Sequence, residues 1–103
     1  MAVASALAAI GAAFPVASPA ATPTHTVTIE NMRFVPQTLI VKRGDRVLWV
    51  NKDLFPHTAT AADGFDSHGI APDASWTYVT REPGRYAYGC TLHPTMKATL
   101  VVE

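Results

Sequence analysis

The feature that most constrains the fold is a series of short alternating runs, separated by proline and glycine, that begins at His25. Val27 and Ile29 alternate with polar residues, and Val47 and Trp49 share one parity in a later run. Alternation with a period of two is typical of strands, and no segment shows the sustained periodicity of a helix. Seven or eight short strands with closely spaced turns predict an all-β protein, a Greek-key antiparallel β-sandwich or barrel.

The expected strands place two sulfur-containing side chains toward the core. Pro36 cannot donate to a sheet ladder, so it is expected at an edge or a bulge. Cys90 shares the parity of the tyrosines before it, and Met96 shares the parity of the apolar residues after it. The strands are predicted at Thr26–Glu30, Phe34–Val41, Arg46–Asn51, Thr58–Ala61, Trp76–Thr80, Arg85–Cys90 and Lys97–Glu103.

Composition limits the possible functions. A chain of 103 residues forms one small domain with a single core. The eight basic and eight acidic residues are scattered and cancel, so neither a nucleic acid nor an anionic membrane is indicated as a partner. The single cysteine, Cys90, excludes an internal disulfide, and a free thiol in an exported protein is a liability unless it is occupied. Metal ligation is one such occupation.

The N-terminal stretch from Met1 to about Thr24 is rich in Ala, Val, Ser and Pro and contains no charged side chain. Residues 2–14 have the length of a signal-peptide core, and Ser18-Pro19-Ala20 supplies small residues of the kind that signal peptidase recognises. We therefore expect residues 1–24 to be a signal-peptide remnant or, alternatively, a disordered tail. The folded domain is then expected at residues 25–103, without a membrane span in the mature form.

Three potential metal donors lie on one short loop between two predicted strands: Cys90, His93 and Met96, with the spacing C-x-x-H-x-x-M. Together with a second histidine, a thiolate, an imidazole and a thioether form the ligand set of blue-copper electron-transfer sites. His57, which follows Pro56, is the upstream candidate for that histidine. A neutral thioether suits copper(I) better than zinc. Singly, a cysteine or methionine beside a strand is more often core filling, so only the combination indicates a metal site.

Five motifs occur in order along the chain: Phe34-x-Pro36-x-x-Leu39-x-Val41-x-x-Gly44-Asp45, Val47-x-Trp49-x-Asn51, Pro56-His57, Phe65-Asp66-Ser67 and Pro83-Gly84-x-Tyr86-x-Tyr88-x-Cys90. Over residues 25–103 they resemble the cupredoxin family, and within it the amicyanin and plastocyanin-like small blue-copper proteins. The short ligand loop is similar to that of amicyanin. The resemblance implies one type 1 copper per chain, bound by His57, Cys90, His93 and Met96.

The resemblance also implies roles for residues around the ligands. A core-facing amide must find hydrogen-bond partners, and Asn51 is expected to tie the histidine loop to the cysteine loop near Thr91 or Thr58. The alternative is an asparagine that simply ends its strand. One edge of His93 is expected to reach the surface through an apolar patch that docks redox partners. Its expected members are Pro94, Pro56, Phe34, Met32 and Leu54.

Some residues depart from the family pattern or have an open role. His68, Asp73 and Ala98 stand where relatives commonly have glycine, and none of them is a ligand. His68 and His25 are expected to be surface imidazoles. The charged neighbours of the apolar patch either steer a partner or are ordinary solvated surface: Lys52, Asp53 and Lys97.

The sequence thus predicts an exported, periplasmic or otherwise extracytoplasmic type 1 copper protein. It would carry single electrons between a donor and an acceptor, such as a cytochrome, dehydrogenase or oxidase, as a monomer and without transforming a substrate. The first alternative is a copper delivery or sequestration module that uses the same donors. The second is a hydrolase with Cys90 as nucleophile and His93 as base, which is disfavoured because residues three apart on one loop rarely provide the geometry.

Overall fold

A computed structural model describes residues 22–103, and this part of the chain contains nine strands and no helix, hence no helix that could cross a membrane. The predicted signal segment falls almost wholly on residues 1–21, outside the described residues. The strands are β1 (Thr24–Glu30), β2 (Arg33–Val35), β3 (Thr38–Val41), β4 (Arg46–Asn51), β5 (Thr60–Ala61), β6 (Phe65–Asp66), β7 (Ser75–Val79), β8 (Gly84–Gly89) and β9 (Lys97–Val102).

The strands form two sheets, which confirms the predicted all-β sandwich. One sheet has the order β2-β1-β4-β7 and the other has the order β3-β9-β8-β5-β6. The sheets are mixed rather than wholly antiparallel, because β1 pairs with β4 and β3 pairs with β9 in parallel. The members of each parallel pair are distant in sequence and are not joined by a hairpin, so no tight turn imposes an antiparallel direction.

The core lies between the inner faces of the two sheets. Val27, Ile29, Val47 and Trp49 of one sheet are completely buried, which confirms the period-two pattern. Trp49 Nε1 donates a hydrogen bond to Tyr88 Oη across the core at 3.2 Å. Burial raises the pKa of Tyr88 to about 12. The core therefore joins the strand that leads to the histidine loop with the strand that leads to Cys90.

The predicted strand Phe34–Val41 is wrong in one respect, because it consists of two strands in different sheets. Pro36 and Gln37 separate β2 from β3. Proline has no amide hydrogen to continue a ladder, so the pairing with β1 stops at Val35, and the chain crosses to the second sheet.

Two of the departures from glycine adopt the backbone conformation that glycine favours. His68 has a φ of 56° and Asp73 has a φ of 66°. Left-handed conformations are uncommon for residues with a side chain, although histidine and aspartate tolerate them better than most. Ala98 instead lies in β9 opposite Tyr88 and is buried. The loops before β7 therefore keep the turn geometry without glycine.

Candidate metal centre

The metal centre is assembled from two segments that are far apart in the sequence. His57 lies on the segment after β4, where its backbone exchanges hydrogen bonds with Ile70 at 3.1 and 2.7 Å. Cys90 directly follows β8, whose last residue pairs with Thr60 of β5. Since β5 begins three residues after His57, this pairing brings the imidazole and the thiol together.

The group that could hold a metal ion consists of His57, Cys90 and His93, whose potential ligand atoms all lie within 4.8 Å of one another. Cys90 Sγ is 3.6 Å from His57 Nδ1 and 3.7 Å from His93 Nδ1. In zinc sites imidazole nitrogen lies about 2.0–2.1 Å and thiolate sulfur about 2.3 Å from the metal, so bond angles of about 110–120° give nitrogen–sulfur distances of about 3.6–3.8 Å. The three donors therefore fit around one transition-metal ion, as the sequence predicts.

The loop that carries the ligands is closed by its own backbone. His93 N donates to Cys90 O, Met96 N donates to His93 O, and Cys90 N donates to Met96 O, at 3.3, 2.9 and 3.2 Å. Met96 is buried, as expected for a side chain that faces the core. A soft thiolate and a thioether on one closed loop, with two imidazoles, make a donor set that suits copper.

The thiol of Cys90 is buried and accepts a hydrogen bond from the Thr58 backbone amide at 3.3 Å. A thiolate that accepts an amide hydrogen bond is stabilised in its charged, metal-binding form. The residue that supplies this donor comes directly after His57. One tight segment therefore provides both an imidazole ligand and a hydrogen bond to the sulfur.

The expected bond from Asn51 to Thr91 or Thr58 is wrong. Asn51 Nδ2 donates instead to the carbonyl oxygens of Phe55 at 2.8 Å and Ile70 at 2.9 Å. Its Oδ1 accepts a hydrogen bond from the Asp53 amide at 2.9 Å. The completely buried amide is thus saturated within the histidine segment and has no donor left for the cysteine loop. It holds the backbone on both sides of His57.

The link between the histidine segment and the cysteine loop is made by Thr58. The Thr91 amide donates to Thr58 Oγ1 at 2.9 Å, and the two threonine hydroxyl oxygens lie 3.2 Å apart. Thr60 Oγ1 donates to Asp66 Oδ1 at 3.0 Å and lies 2.9 Å from Thr58 Oγ1. Threonine hydroxyl groups therefore link the histidine segment to the cysteine loop, the role that was predicted for the Asn51 side chain.

Asp53 is a neighbour of the candidate ligands that the sequence pattern did not predict. Its Oδ2 lies 2.8 Å from His57 Nε2, and the amides of Asn31 and Met32 donate to the same carboxylate. Burial by itself raises the pKa of Asp53, but these hydrogen bonds outweigh burial and hold the pKa below its ordinary value of 3.8. An acidic residue four positions before a candidate ligand was the signal that could have identified it.

Exposed apolar side chains flank His93 in the sequence and occur on the histidine segment, and His93 is the least buried of the three donors. Leu54, Phe55 and Leu92 are 88%, 57% and 54% exposed. The Phe55 and His93 rings are 6.4 Å apart between centroids. Phe55 and Leu92 were not among the predicted members of the patch, although both directly precede a motif residue. We define the apolar surface by the exposed residues Met32, Leu54, Phe55, Pro56, Leu92 and Pro94.

Phe34 is not part of this surface, which corrects the prediction. It is 3% exposed, and its ring packs edge-on against Tyr88 with centroids 4.8 Å apart. The alternation of β2 turns Phe34 inward and its neighbours Arg33 and Val35 outward. A partner cannot contact Phe34 directly.

An all-β sandwich in which one cysteine and two histidines lie close together is typical of proteins that bind a single metal ion. Residues 2–102 match the family model of the cupredoxin-like domain. The chain therefore belongs to the cupredoxin-like family. The resemblance noted from the motifs is therefore confirmed.

Individual relatives agree with the family assignment. Amicyanin from Paracoccus versutus is 31% identical over 83 residues, which cover 75% of this chain and 63% of the relative. Amicyanin-alpha from Methylorubrum extorquens is 35% identical over 83 residues, covering 75% of this chain and 70% of the relative. The chain thus spans 63% of the length of the amicyanins from Paracoccus versutus and Paracoccus denitrificans.

Solved structures show the same likeness. The Cu(I) form of a methionine variant of amicyanin has a TM-score of 0.74 and 30% identity, covering 82% of this chain and 87% of that chain. The oxidised state of a proline variant of amicyanin has a TM-score of 0.73 and 30% identity, covering 78% of this chain and 82% of that chain.

Proposed function

We propose that this protein is a type 1 copper protein that carries single electrons between redox partners. The observation that carries the proposal is the placement of the His57 and His93 Nδ1 atoms 3.6 and 3.7 Å from Cys90 Sγ. Membership of the cupredoxin-like family and the likeness to amicyanin structures support the same function.

The proposed ligands are His57, Cys90 and His93, with Met96 as a weak axial ligand. Bound copper supplies one-electron chemistry by alternating between Cu(I) and Cu(II). The chain itself keeps the ligands in place, because His57 is completely buried and Cys90 is held by the end of β8. Ligands that are fixed in advance move little when the charge of the site changes, which favours fast electron transfer.

Electrons are proposed to enter and leave through His93, because it is the ligand that reaches nearest to solvent. The apolar surface around it is the proposed docking site for a redox protein, such as a cytochrome, dehydrogenase or oxidase. Lys52 and Lys97 are exposed and are candidates for steering that partner. The protein is proposed to act as a monomer.

Export to the periplasm or another extracytoplasmic compartment is part of the proposal. It rests on the alanine-rich apolar run of residues 2–14 and on the small residues Ser18-Pro19-Ala20, which resemble the core and cleavage region of a signal peptide. The copper-binding domain is proposed to comprise residues 25–103.

The burial of the donors disfavours both alternatives. A delivery module needs an ion that exchanges readily, whereas the thiol and one imidazole here are buried. A cysteine nucleophile needs room for a substrate carbonyl, yet Cys90 is 3% exposed and its sulfur is flanked by two imidazoles and an amide.

The proposal is tested by adding copper(II) to the purified protein and to Cys90→Ser, and recording visible and electron spin resonance spectra. The wild-type protein is expected to develop the intense colour of a thiolate–copper(II) bond and to undergo reversible one-electron reduction. Cys90→Ser is expected to give only a weak, ordinary cupric spectrum. Identical weak spectra from both proteins would exclude the thiolate ligand and with it the proposed function.

A further inference from the structure

Asp53 joins the candidate metal centre to a distant turn through one carboxylate. Its Oδ2 lies 2.8 Å from His57 Nε2, the ring nitrogen that faces away from Cys90. The side chain is 12% exposed, whereas His57 is completely buried. The backbone is held in place too, because the Asp53 amide donates to Asn51 Oδ1 at 2.9 Å. The Asp53 carboxylate is therefore held in a fixed position by its contacts and is not a mobile surface charge.

The same carboxylate also holds the turn between β1 and β2. The amides of Asn31 and Met32 donate to Oδ1 and Oδ2 of Asp53 at 2.6 and 3.0 Å. Both turn residues have positive φ angles, 54° and 59°, a conformation that residues other than glycine adopt only with support. Met32 belongs to the apolar surface. One side chain thus contacts both a candidate ligand and the backbone of the proposed docking site.

We propose that Asp53 is a positioning residue that holds the Nε2 edge of the His57 ring by a hydrogen bond, so that Nδ1 faces Cys90, while it also maintains the Asn31–Met32 turn. This inference rests on the proposed function for its metal. A carboxylate hydrogen-bonded to the far nitrogen of a ligand imidazole orients the ring and makes it a better donor. Its negative charge favours the more highly charged copper(II) state over copper(I).

The test compares Asp53→Asn and Asp53→Glu with the matched control Asp73→Asn. Asp73 is an exposed acid whose amide donates to Asn51 O, so this control removes the same charge at the same end of the molecule without a contact to His57. Asparagine also tolerates the positive φ at that position.

We expect Asp53→Asn to lower copper(II) affinity roughly tenfold or more, as is usual for a lost outer partner of a ligand histidine, and to lower copper(I) affinity less. The reduction potential of Asp53→Asn therefore rises, while Asp73→Asn stays near the wild type and Asp53→Glu recovers part of the difference. Equal potentials for Asp53→Asn and Asp73→Asn would overturn the electrostatic part of the inference.

A second measurement needs no metal and separates this inference from the proposed function. In the metal-free protein, nitrogen-15 spectra are expected to show His57 protonated on Nε2, and amide hydrogen exchange of Asn31 and Met32 is expected to be slow. Asp53→Asn should accelerate that exchange roughly tenfold or more, because hydrogen bonds to a carboxylate are the strong ones. Unchanged exchange would overturn the structural part, whatever the wild-type copper spectrum shows.

Discussion

At the level of single residues, Thr58 contributes two chemically different groups to the metal centre. Its amide donates to the sulfur of Cys90, and its hydroxyl oxygen accepts the amide of Thr91. The first contact belongs to the backbone and survives any substitution other than proline. The second depends on the hydroxyl group alone, so the two contributions are separable by mutation.

Thr58→Val is expected to destabilise the metal-free protein by about 1–3 kcal/mol, because a part-buried amide loses its acceptor while the shape of the side chain is kept. Thr58→Ser retains the hydroxyl and is expected to lose less. Urea unfolding of the metal-free proteins measures both free energies of unfolding. The thiolate–copper colour should persist in both variants, since the hydrogen bond from the amide of residue 58 to Cys90 Sγ remains. Equal stability of the valine variant and the wild type would show that the hydroxyl bridge is unimportant.

At the level of elements, the ligand loop depends on how closely β8 and β9 approach each other where they end. Gly89 pairs with Lys97, and a Cβ atom built on Gly89 would lie 2.6 Å from the Met96 carbonyl oxygen. That oxygen accepts the Cys90 amide and so closes the loop. Glycine is required at this position by space and not by its φ angle.

Gly89→Ala is expected to push the Met96 carbonyl away, break the closing hydrogen bond and weaken copper(I) binding roughly tenfold or more. Competition with a copper(I) chelator measures the affinity. The matched control is Gly69→Ala, because a Cβ atom there meets nothing within 4 Å. The expectation fails if the two alanine variants bind copper(I) equally well.

At the level of the whole molecule, the end opposite the metal centre is held by a different carboxylate. Asp45 precedes β4, whereas the segment that carries His57 follows β4. Asp45 Oδ2 lies 2.9 Å from His25 Nε2 of β1 and accepts the Lys42 amide at 3.1 Å. The predicted surface histidine His25 is therefore paired and only partly exposed, whereas His68 is 86% exposed.

The Asp45 contacts predict how stability depends on pH. The hydrogen bond with His25 and that from Lys42 lower the pKa of Asp45 below its ordinary value of 3.8. A carboxyl group whose pKa is lower in the folded state stabilises the protein at pH values above its unfolded-state pKa. This stabilisation is lost as the pH falls through the folded-state pKa. We therefore expect a loss of stability below about pH 4 that is smaller in Asp45→Asn.

Thermal unfolding of the metal-free protein between neutral pH and pH 3 measures this effect. Asp63→Asn is the charge-matched control, because Asp63 is exposed in the turn between β5 and β6. Part of the acid sensitivity should remain in Asp45→Asn, since the pKa of Asp66 is also lowered, chiefly by the His68 amide. Parallel acid profiles for Asp45→Asn and the wild type would contradict the prediction.

Local sequence was enough to predict the sandwich and the candidate donors on the loop after β8. The period-two pattern identified the buried faces of β4 and β9, because alternation is a property of each strand by itself. Cys90, His93 and Met96 lie within seven residues of one another, and the hydrogen bonds that close this loop are local to it. The cupredoxin motifs then indicated His57 as the distant member.

Only the tertiary structure decided which partners the polar groups and surface residues find. Asn51 donates within the histidine segment whereas Thr58 contacts the cysteine loop, and the spacing of these residues in the sequence does not distinguish the two outcomes. The pairing of β2 with β1 decided which face of β2 meets the core and so turned Phe34 inward, and the packing of the histidine segment brought Asp53 to His57. Hydrogen bonds and burial are set by how segments distant in the sequence pack, whereas strand alternation and ligand spacing are properties of the chain itself.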